Sequence, residues 1–471
     1  VRAPADRTLD NPLGVMQRGD TIVAIATAAG RGALAVIRVS GPGAIAIAGR
    51  VLSPRMGRQL AHRTTVRCDI HAPDDPYTPI DDGLATLYHA PHSFTGEPTI
   101  EISTHGGLAV PPAVLAAFVA AGARLAEPGE FSERAVFNGK LDLVRAEAIA
   151  DLIDARSRAA HRAALHQLSG ALSARLATLR DGILGLEALL AYDIDFPEED
   201  SGAVPRERIA AAADAIVGQL EILLATVPAA ILGREGATVV LAGMPNAGKS
   251  SLLNALVGEA RVLVSETPGT TRDAIEVVLD AEPWPLRLVD TAGIRESDDA
   301  TERMGIEVSE RYLAKAHVVI ACADSRESLG ATLAALRSRS TAPIVAALTK
   351  RDLVTESYEM EIDGVPVQGV SASTGDGLPE LLAAVAAAAR RAAPEPDADT
   401  PVIARARHRV ALEEARVELQ AFSTAWKTAA LPAPVAAVHV RAAATALDEL
   451  IGVVDIEEVF GRVFATFCVG K

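Results

Sequence analysis

Between residues 243 and 250 the chain reads GMPNAGKS, a glycine-rich turn closed by Lys249 and Ser250. The spacing fits G-x-x-x-x-G-K-[ST], set between an apolar strand pattern, TVVLA, and a helix pattern, SSLLNAL. There the backbone N–H groups around Asn246, Ala247 and Gly248, with the helix N-terminus, cradle phosphates. Lys249 reaches the β and γ oxygens, Ser250 binds Mg²⁺, and Ser251 opens the helix beside the nucleotide. A second motif, LRLVDTAG, ends a buried strand at Asp290 and continues through Thr291, Ala292 and Gly293. Asp290 can hold Mg²⁺ through water, and the Gly293 amide can sense a γ-phosphate. Between the two lies SETPGTTRD, where Ser265, Glu266, Thr267, Pro268, Gly269 and Thr270 lead to Thr271, a switch threonine for Mg²⁺.

Guanine rather than adenine is indicated by TKRD, residues 349–352, directly after the strand pattern APIVAALT. Asp352 can accept from guanine N1–H and the exocyclic amine, with Lys350 beside it. The usual motif has asparagine where this chain has Thr349, a loss that bears on affinity more than on base identity. SAS, residues 371–373, places Ser371 and a backbone amide near Ala372 at the guanine oxygen. The competing reading is a P-loop ATPase. Ile294 follows D-x-x-G and cannot polarise water, so hydrolysis needs another group. Asn246 can help hold a monovalent cation in place of an arginine finger, a role worth ~10³–10⁵ in rate. Glu302, in the acidic run RESDDATERMGIE, either orients water or belongs to a solvated loop.

These motifs need elements to hold them. At 471 residues two or three domains are expected. Hydrophobic content of 49% with only 3% aromatics predicts a largely helical, Ala/Leu/Val-rich chain. No apolar run reaches the ~18–20 residues of a membrane span. Residues 1–19 lack a signal-peptide pattern and read as a disordered extension. Residues 20–140 mix strands (TIVAIAT, LAVIRVS, TIEIS) with turns, an α+β domain. Residues 141–235 are helical, with Leu141, Val144, Ala148 and Leu152 on one face and Asp154 one turn before Arg158. Residues 236–392 alternate strand and helix, a doubly wound parallel sheet, and 393–471 return to helix after a Pro/acidic linker. The architecture is multidomain α+β, α and α/β, with a Ras-like G domain inserted into a helical one.

A net charge of −16 argues against a broad nucleic-acid face, so any RNA contact is local or shared with a partner. Three dispersed cysteines, Cys68, Cys322 and Cys468, suit a reducing cytoplasm. Only six of 45 basic residues are lysine: Lys140, Lys249, Lys315, Lys350, Lys427 and Lys471. A retained lysine can mark a need for a compact ammonium, or be chance. Lys140 reads as the start of a helix, where a cation opposes the macrodipole. Arg38, at a strand end, reads as a surface charge, Glu101 as partly exposed, and His105 as structural. The ending FCVGK invites a prenylation reading, and with it a membrane-associated GTPase, but Gly470 and Lys471 fit that signal poorly. Before it, Asp455 and Glu458 suit a capping box, and Ile456, Val459, Phe460, Val463, Phe464 and Phe467 form an apolar stripe. Cys468 is then either a small buried thiol or a site residue.

DTIVAIATAAGRGALAVIRVSG, SFTGEPTIEISTHGG, PGEFSERAVFNGKLDLVRAEAIADLIDA and LDELIGVVDIEEVFGRVFATFCVGK carry a resemblance beyond the GTPase motifs. From Asp20 to Lys471 the chain resembles the MnmE (TrmE) family of tRNA-modifying GTPases. The resemblance implies an N-terminal folate-binding domain that forms a homodimer, and G domains that pair in a potassium-dependent way. It implies a flavin-dependent partner, MnmG (GidA), in a heterotetramer or larger complex that binds tRNA mainly through the partner. Together they would add a carboxymethylaminomethyl or aminomethyl group to C5 of the wobble uridine. The one-carbon donor would be a tetrahydrofolate derivative, 5-formyl or methylene, and FAD would enter only through the partner. By the same resemblance Asn246, Ser265, Thr267 and Thr270 would bind K⁺, Ser250 and Thr271 Mg²⁺, and Glu302 would orient water. Arg38, Glu101, Lys140 and Lys471 would contact folate, with Cys468 as a site residue of the modification, reached across the dimer. The alternative class, a ribosome-assembly GTPase of the Era or Der type, predicts a basic RNA-binding appendage such as a KH module.

Overall fold

The computed structural model describes residues 19–155, 157–195, 204–259, 262–263, 275–282, 284–290, 312–353, 361–392, 400–452, 463–464 and 467–470. They fall into two compact units, one within Val1–Ala150 and Thr445–Lys471, the other within Asp151–Ala444.

In the first unit, seven strands form one sheet: β1 (Ile22–Ile25), β2 (Leu34–Ser40), β3 (Leu52–Pro54), β4 (Thr65–Ala72), β5 (Asp75–Tyr88), β6 (Thr99–His105) and β7 (Arg124–Leu125). Their order is β3-β4-β5-β6-β2-β1-β7. All pair antiparallel except β1 with β7. Alternation decides which face is covered: Val23, Ile37, Val39, Ile100 and Ile102 are buried under α1 (Ala44–Val51) and α2 (Val110–Ala120). The sequence reading named β1, β2 and β6 but not the β4–β5 hairpin. Pro76 and Pro79 lie in β5, and the pairing slips at His71, so the period-two signal is broken there.

The helix α3 (Glu130–Phe137) is tied to the sheet by a buried charge network. Glu130, 1% exposed, receives Arg124 at 2.7 Å and Arg134 at 2.8 Å, and Arg134 also reaches Asp20 at 2.6 Å. Two guanidiniums on Glu130 and Asp20 satisfy charges that would be costly alone. Lys140 does not oppose a helix start. Its N–H donates to Ala135 O at 2.8 Å, closing the C-terminal end of α3, where a cation is favourable. α4 (Leu143–Asp154) follows, and Leu143, Val144, Ala146, Glu147, Ala148 and Ala150 are all buried, a wider face than the expected stripe.

The helix expected to run on past residue 154 stops there. α5 (Arg158–Leu168) starts afresh, with the Ser157 hydroxyl accepting from Ala160 N at 3.0 Å. The expected Asp154–Arg158 pair is therefore replaced: Arg158 meets Glu282 at 3.5 Å. The second unit continues with α6 (Ala171–Asp195), α7 (Arg206–Leu224) and α8 (Val227–Glu235). After the G domain it resumes with α12 (Ala406–Lys427) and α13 (Ala433–Ile451). The two chain segments lock together. Arg206 donates to Trp426 O at 2.7 Å with its guanidinium 4.3 Å above the Trp426 ring, and Asp214 receives Ser423 and Lys427. Among the described residues one helical stretch, Arg206–Glu235, is long and apolar enough to span a membrane, with 44% of its apolar window buried. Ile209, Ala213, Ile216 and Leu220 are buried within it.

The inserted domain is an eight-stranded sheet, in order β14-β15-β13-β12-β8-β11-β10-β9. β8 (Ala237–Ala242), β11 (Leu286–Asp290), β12 (Val318–Ala323), β13 (Ile344–Leu348) and β15 (Val365–Gly369) are parallel. β9 (Val262–Leu263), β10 (Ile275–Leu279) and β14 (Glu361–Ile362) pair antiparallel at the edges, where the expected sheet was parallel throughout. Every residue of β8 and β12 is buried. Flanking them are α9 (Lys249–Glu259), α10 (Arg326–Arg337) and α11 (Leu378–Ala392). Apart from Thr238 these central strands are apolar, as a parallel sheet covered on both faces requires.

Candidate active site

The glycine loop joins the carboxyl end of β8 to α9, the place where an open α/β sheet leaves a crevice for ligands. Gly243 is obligatory there, since a Cβ would stand 2.1 Å from the Cys322 carbonyl oxygen at φ +157°. Asn246 holds a left-handed conformation, φ +63°, in a turn where the Ala247 N–H donates to Met244 O at 3.2 Å. Lys249, 7% exposed, folds its ammonium onto Gly243 O and Met244 O, each 2.9 Å away. At the mouth of the loop Ser250 Oγ donates to Asp290 Oδ2 at 2.7 Å, and Asp290 is fully buried at the end of β11.

A cavity of about 600 Å³ opens beside the loop, lined by Gly248, Ser251, Thr349, Lys350, Asp352 and Ala372 together with Leu252, Asn254, Ala255, Val370 and Ser373. Its size suits a purine and ribose. The last five residues were not singled out from sequence. Asn254 lies on the second turn of α9, where helical periodicity was the only available signal. Asp352 is held in place by Ser371, whose Oγ donates to Oδ1 at 2.7 Å, with Ser373 Oγ 3.0 Å from that hydroxyl. Those bonds keep the Asp352 carboxyl below its ordinary range, so it is an acceptor at neutral pH. Ser371 is thus a support for Asp352, a role its place in SAS did not reveal. Lys350, at φ +57°, is turned to Asp324 at 2.9 Å.

Ser265, Glu266, Thr267, Pro268, Gly269, Thr270, Thr271, Thr291, Ala292, Gly293, Glu302 and Lys471 lie outside the described residues, as do Asp455 and Glu458.

The first unit gathers a second set. Arg38 and Glu101 are register partners on β2 and β6, bonded at 2.7 and 3.0 Å through one carboxylate oxygen. Arg38 is no surface charge: its side chain is 14% exposed, with its guanidinium 5.3 Å from the Phe94 ring and 5.6 Å from Phe131. The chain terminus comes to it. Val463, Phe464 and Phe467 are buried with Leu143 and Ala146, Val469 bridges Pro128, and Arg38 Nη1 lies 3.4 Å from Gly470 O. Gly470, at φ +97°, passes so near β1 that a Cβ would meet Ile25 O at 2.6 Å. Cys468 is exposed, which removes the buried-thiol reading. Cys68 and Cys322 are the buried thiols, pushed by burial up to about 11 and about 12. The terminus meets β1 and β2 of its own chain, where contact across a dimer was expected. Lys140 reaches Pro91 O at 3.0 Å. His105, 65% exposed, is paired with Asp81 at 2.8 Å, which raises its pKa.

Lys249 on its loop, Ser250 against Asp290 and a cavity over the TKRD loop together describe a P-loop GTPase domain carried within a helical one. The MnmE helical domain family matches residues 143–468, and the GTP-binding protein TrmE N-terminus family matches residues 21–140. The chain is 40% identical over 473 residues to the tRNA modification GTPase MnmE of Heliobacterium modesticaldum, covering 96% of this chain and 100% of that one. It is 36% identical over 453 residues to that of Aquifex aeolicus, covering 96% and 100%. The chain belongs to the tRNA modification GTPase MnmE family. Among solved structures, the G domain of the T. maritima FeoB iron transporter is 28% identical, covers 32% of this chain and 98% of that one, and has a TM-score of 0.26. Era of Aquifex aeolicus, bound to GDP and aluminium fluoride, is 21% identical, covers 38% and 66%, and has a TM-score of 0.27. The ribosome-assembly alternative has only that distant likeness behind it.

GTPases of this kind use Mg²⁺ with the nucleotide, and the donors fit it. Ser250 and Asp290 set two hard oxygens side by side at the mouth of the loop. When bound, the ion offsets charge building on the β and γ oxygens. Lys249 does the same from its place on the loop, because its ammonium can leave two neutral carbonyls for a charged phosphate.

Proposed function

We propose that this chain is a potassium-dependent GTPase that works in the cytoplasm as a homodimer with the flavin-dependent partner MnmG. The pair adds an aminomethyl-type group to C5 of the wobble uridine of certain tRNAs. In this reading Lys249, Ser250 and Asp290 hold the phosphates and Mg²⁺, and Asp352 accepts from guanine N1–H and its exocyclic amine. Asn246 takes part in a K⁺ site with Ser265, Thr267 and Thr270, and Glu302 orients water. A tetrahydrofolate derivative supplies the carbon at Arg38, Glu101, Lys140 and Lys471, near the Cys468 thiol. The observation that carries it is the meeting of the chain terminus with the Arg38–Glu101 pair in the same protein as a GTPase loop. A half-buried guanidinium, a carboxylate and an exposed thiol are suited to a polar pterin with a glutamate tail. The charge of −16 supports a reading in which most tRNA contact is made by the partner.

The test is mass spectrometry of tRNA nucleosides from a strain lacking this chain, complemented by wild type or by Cys468→Ser. Loss of the wobble modification on deletion, restored by wild type and not by the serine variant, is expected. Intact modification in the deletion strain would remove the reading altogether. Full rescue by Cys468→Ser would remove only the thiol from it.

A further inference from the structure

Thr349 lies at the junction of the phosphate loop and the base cavity. It is 4% exposed, and its single hydroxyl proton faces two carbonyl oxygens, Ala247 O at 2.9 Å and Ala323 O at 3.1 Å. Its backbone N–H donates to the same Ala323 carbonyl at 2.8 Å. On a third side it closes on Gly248, where a Cβ would come within 3.4 Å of Oγ1. The residue therefore ties the glycine loop to the end of β12, and the tie uses the only proton the side chain has.

The same residue is a wall of the cavity, three positions before Asp352. Guanine presents donors on the edge that a carboxylate can take, and an acceptor, N7, on its five-membered ring. An asparagine in this position has two N–H donors: one can make the tie to Ala247 O and the other remains for the base. A threonine has none to spare.

We infer that Thr349 is a strut of the nucleotide site and not a reader of the base, so that this chain leaves guanine N7 unread at this position. The inference rests on the guanine reading of the cavity, and it divides two functions. Affinity depends on the Thr349 hydroxyl through the shape of the phosphate loop, whereas base choice depends on Asp352. It also accounts for a threonine in the TKRD loop of a GTPase: the mechanical half of the task is kept and the chemical half is given up.

Competition binding on the full chain with Mg²⁺ tests this, using GTP, 7-deaza-GTP and ATP as the displacing nucleotides. Wild type and Thr349→Ser are expected to bind GTP and 7-deaza-GTP within about twofold of one another, and ATP far more weakly. Thr349→Val, which keeps the shape and loses the proton, is expected to weaken both guanine nucleotides by roughly five- to tenfold in equal measure. Thr349→Asn is expected to gain a preference of about fivefold for GTP over 7-deaza-GTP. A wild-type preference of that size for GTP over 7-deaza-GTP, with ATP still excluded, would overturn the inference alone. Unchanged affinity in Thr349→Val, or indifference to N7 in Thr349→Asn, would overturn it too. ATP binding as well as GTP would instead overturn the guanine reading beneath it.

Discussion

At single residues the outcome turned on which partners a side chain meets. Lys249, Ser250 and Asp290 were legible because their chemistry is carried by a local motif, and the Ser250–Asp290 contact joins two such motifs. Ser371 and Thr349 were less so, since their work is done on Asp352 and Ala247, residues distant in sequence or outside their own motif. Glu133 went unnoticed for a similar reason. Burial on α3, with the Glu130 and Glu127 carboxylates nearby, pushes it up to about 7. The unfolded chain gives up this proton near 4.5, so folding is favoured by it only at lower pH. Between pH 4.5 and 7 the unfolded state ionises first and stability falls; above 7 the loss is complete. Glu133→Gln mimics the protonated form. It should match wild type in calorimetric unfolding at pH 4.5 and exceed it at pH 8, by on the order of 2 kcal/mol after allowance for solvent. An equal effect at both pH values would show that the carboxyl does not titrate in this window.

At the level of elements, strands were read well where alternation is unbroken and missed where proline or a slipped register interrupts it, as in β4–β5. Helix existence was legible, but the break between α4 and α5 was not. RSRAAHRAAL continues a helical pattern, and only the tertiary role of Ser157 distinguishes a fresh start. Its hydroxyl caps Ala160 N and also donates to Gly233 O at 3.0 Å, fastening α5 to α8. Ser157 is 7% exposed, so alanine would leave both the helix end and that carbonyl without a partner. Ser157→Ala should therefore destabilise the second unit by roughly 1–3 kcal/mol, and Ser157→Thr by much less. Both tryptophans, Trp284 and Trp426, belong to that unit, so fluorescence-detected urea unfolding reads it selectively. A midpoint unmoved by the alanine variant would place the start of α5 elsewhere.

At the scale of the molecule, the insertion is what the sequence conveyed least directly and the structure explains most simply. Arg206 and Trp426 stand 220 positions apart and exchange two hydrogen bonds, so the chain leaves a helical core for the G domain and returns to it. Composition shifts mark the ends of the inserted domain, but nothing local announces that the flanking segments pair. The G domain is thus carried between two helical segments that are bonded to each other. Ile294 stands directly after D-x-x-G and cannot polarise water, which leaves that task to another group. If Asn246 helps hold a monovalent cation, GTP turnover by the full chain should be at least tenfold faster in potassium than in sodium at equal ionic strength. Asn246→Ala should lose that difference while still binding GTP, because Lys249, Ser250 and Asp290 remain. Equal rates in the two salts would exclude a cation site, whereas a potassium response surviving in Asn246→Ala would move the site away from Asn246. If that cation is shared by facing G domains, turnover in potassium should rise more steeply than linearly with protein and flatten once pairing is complete.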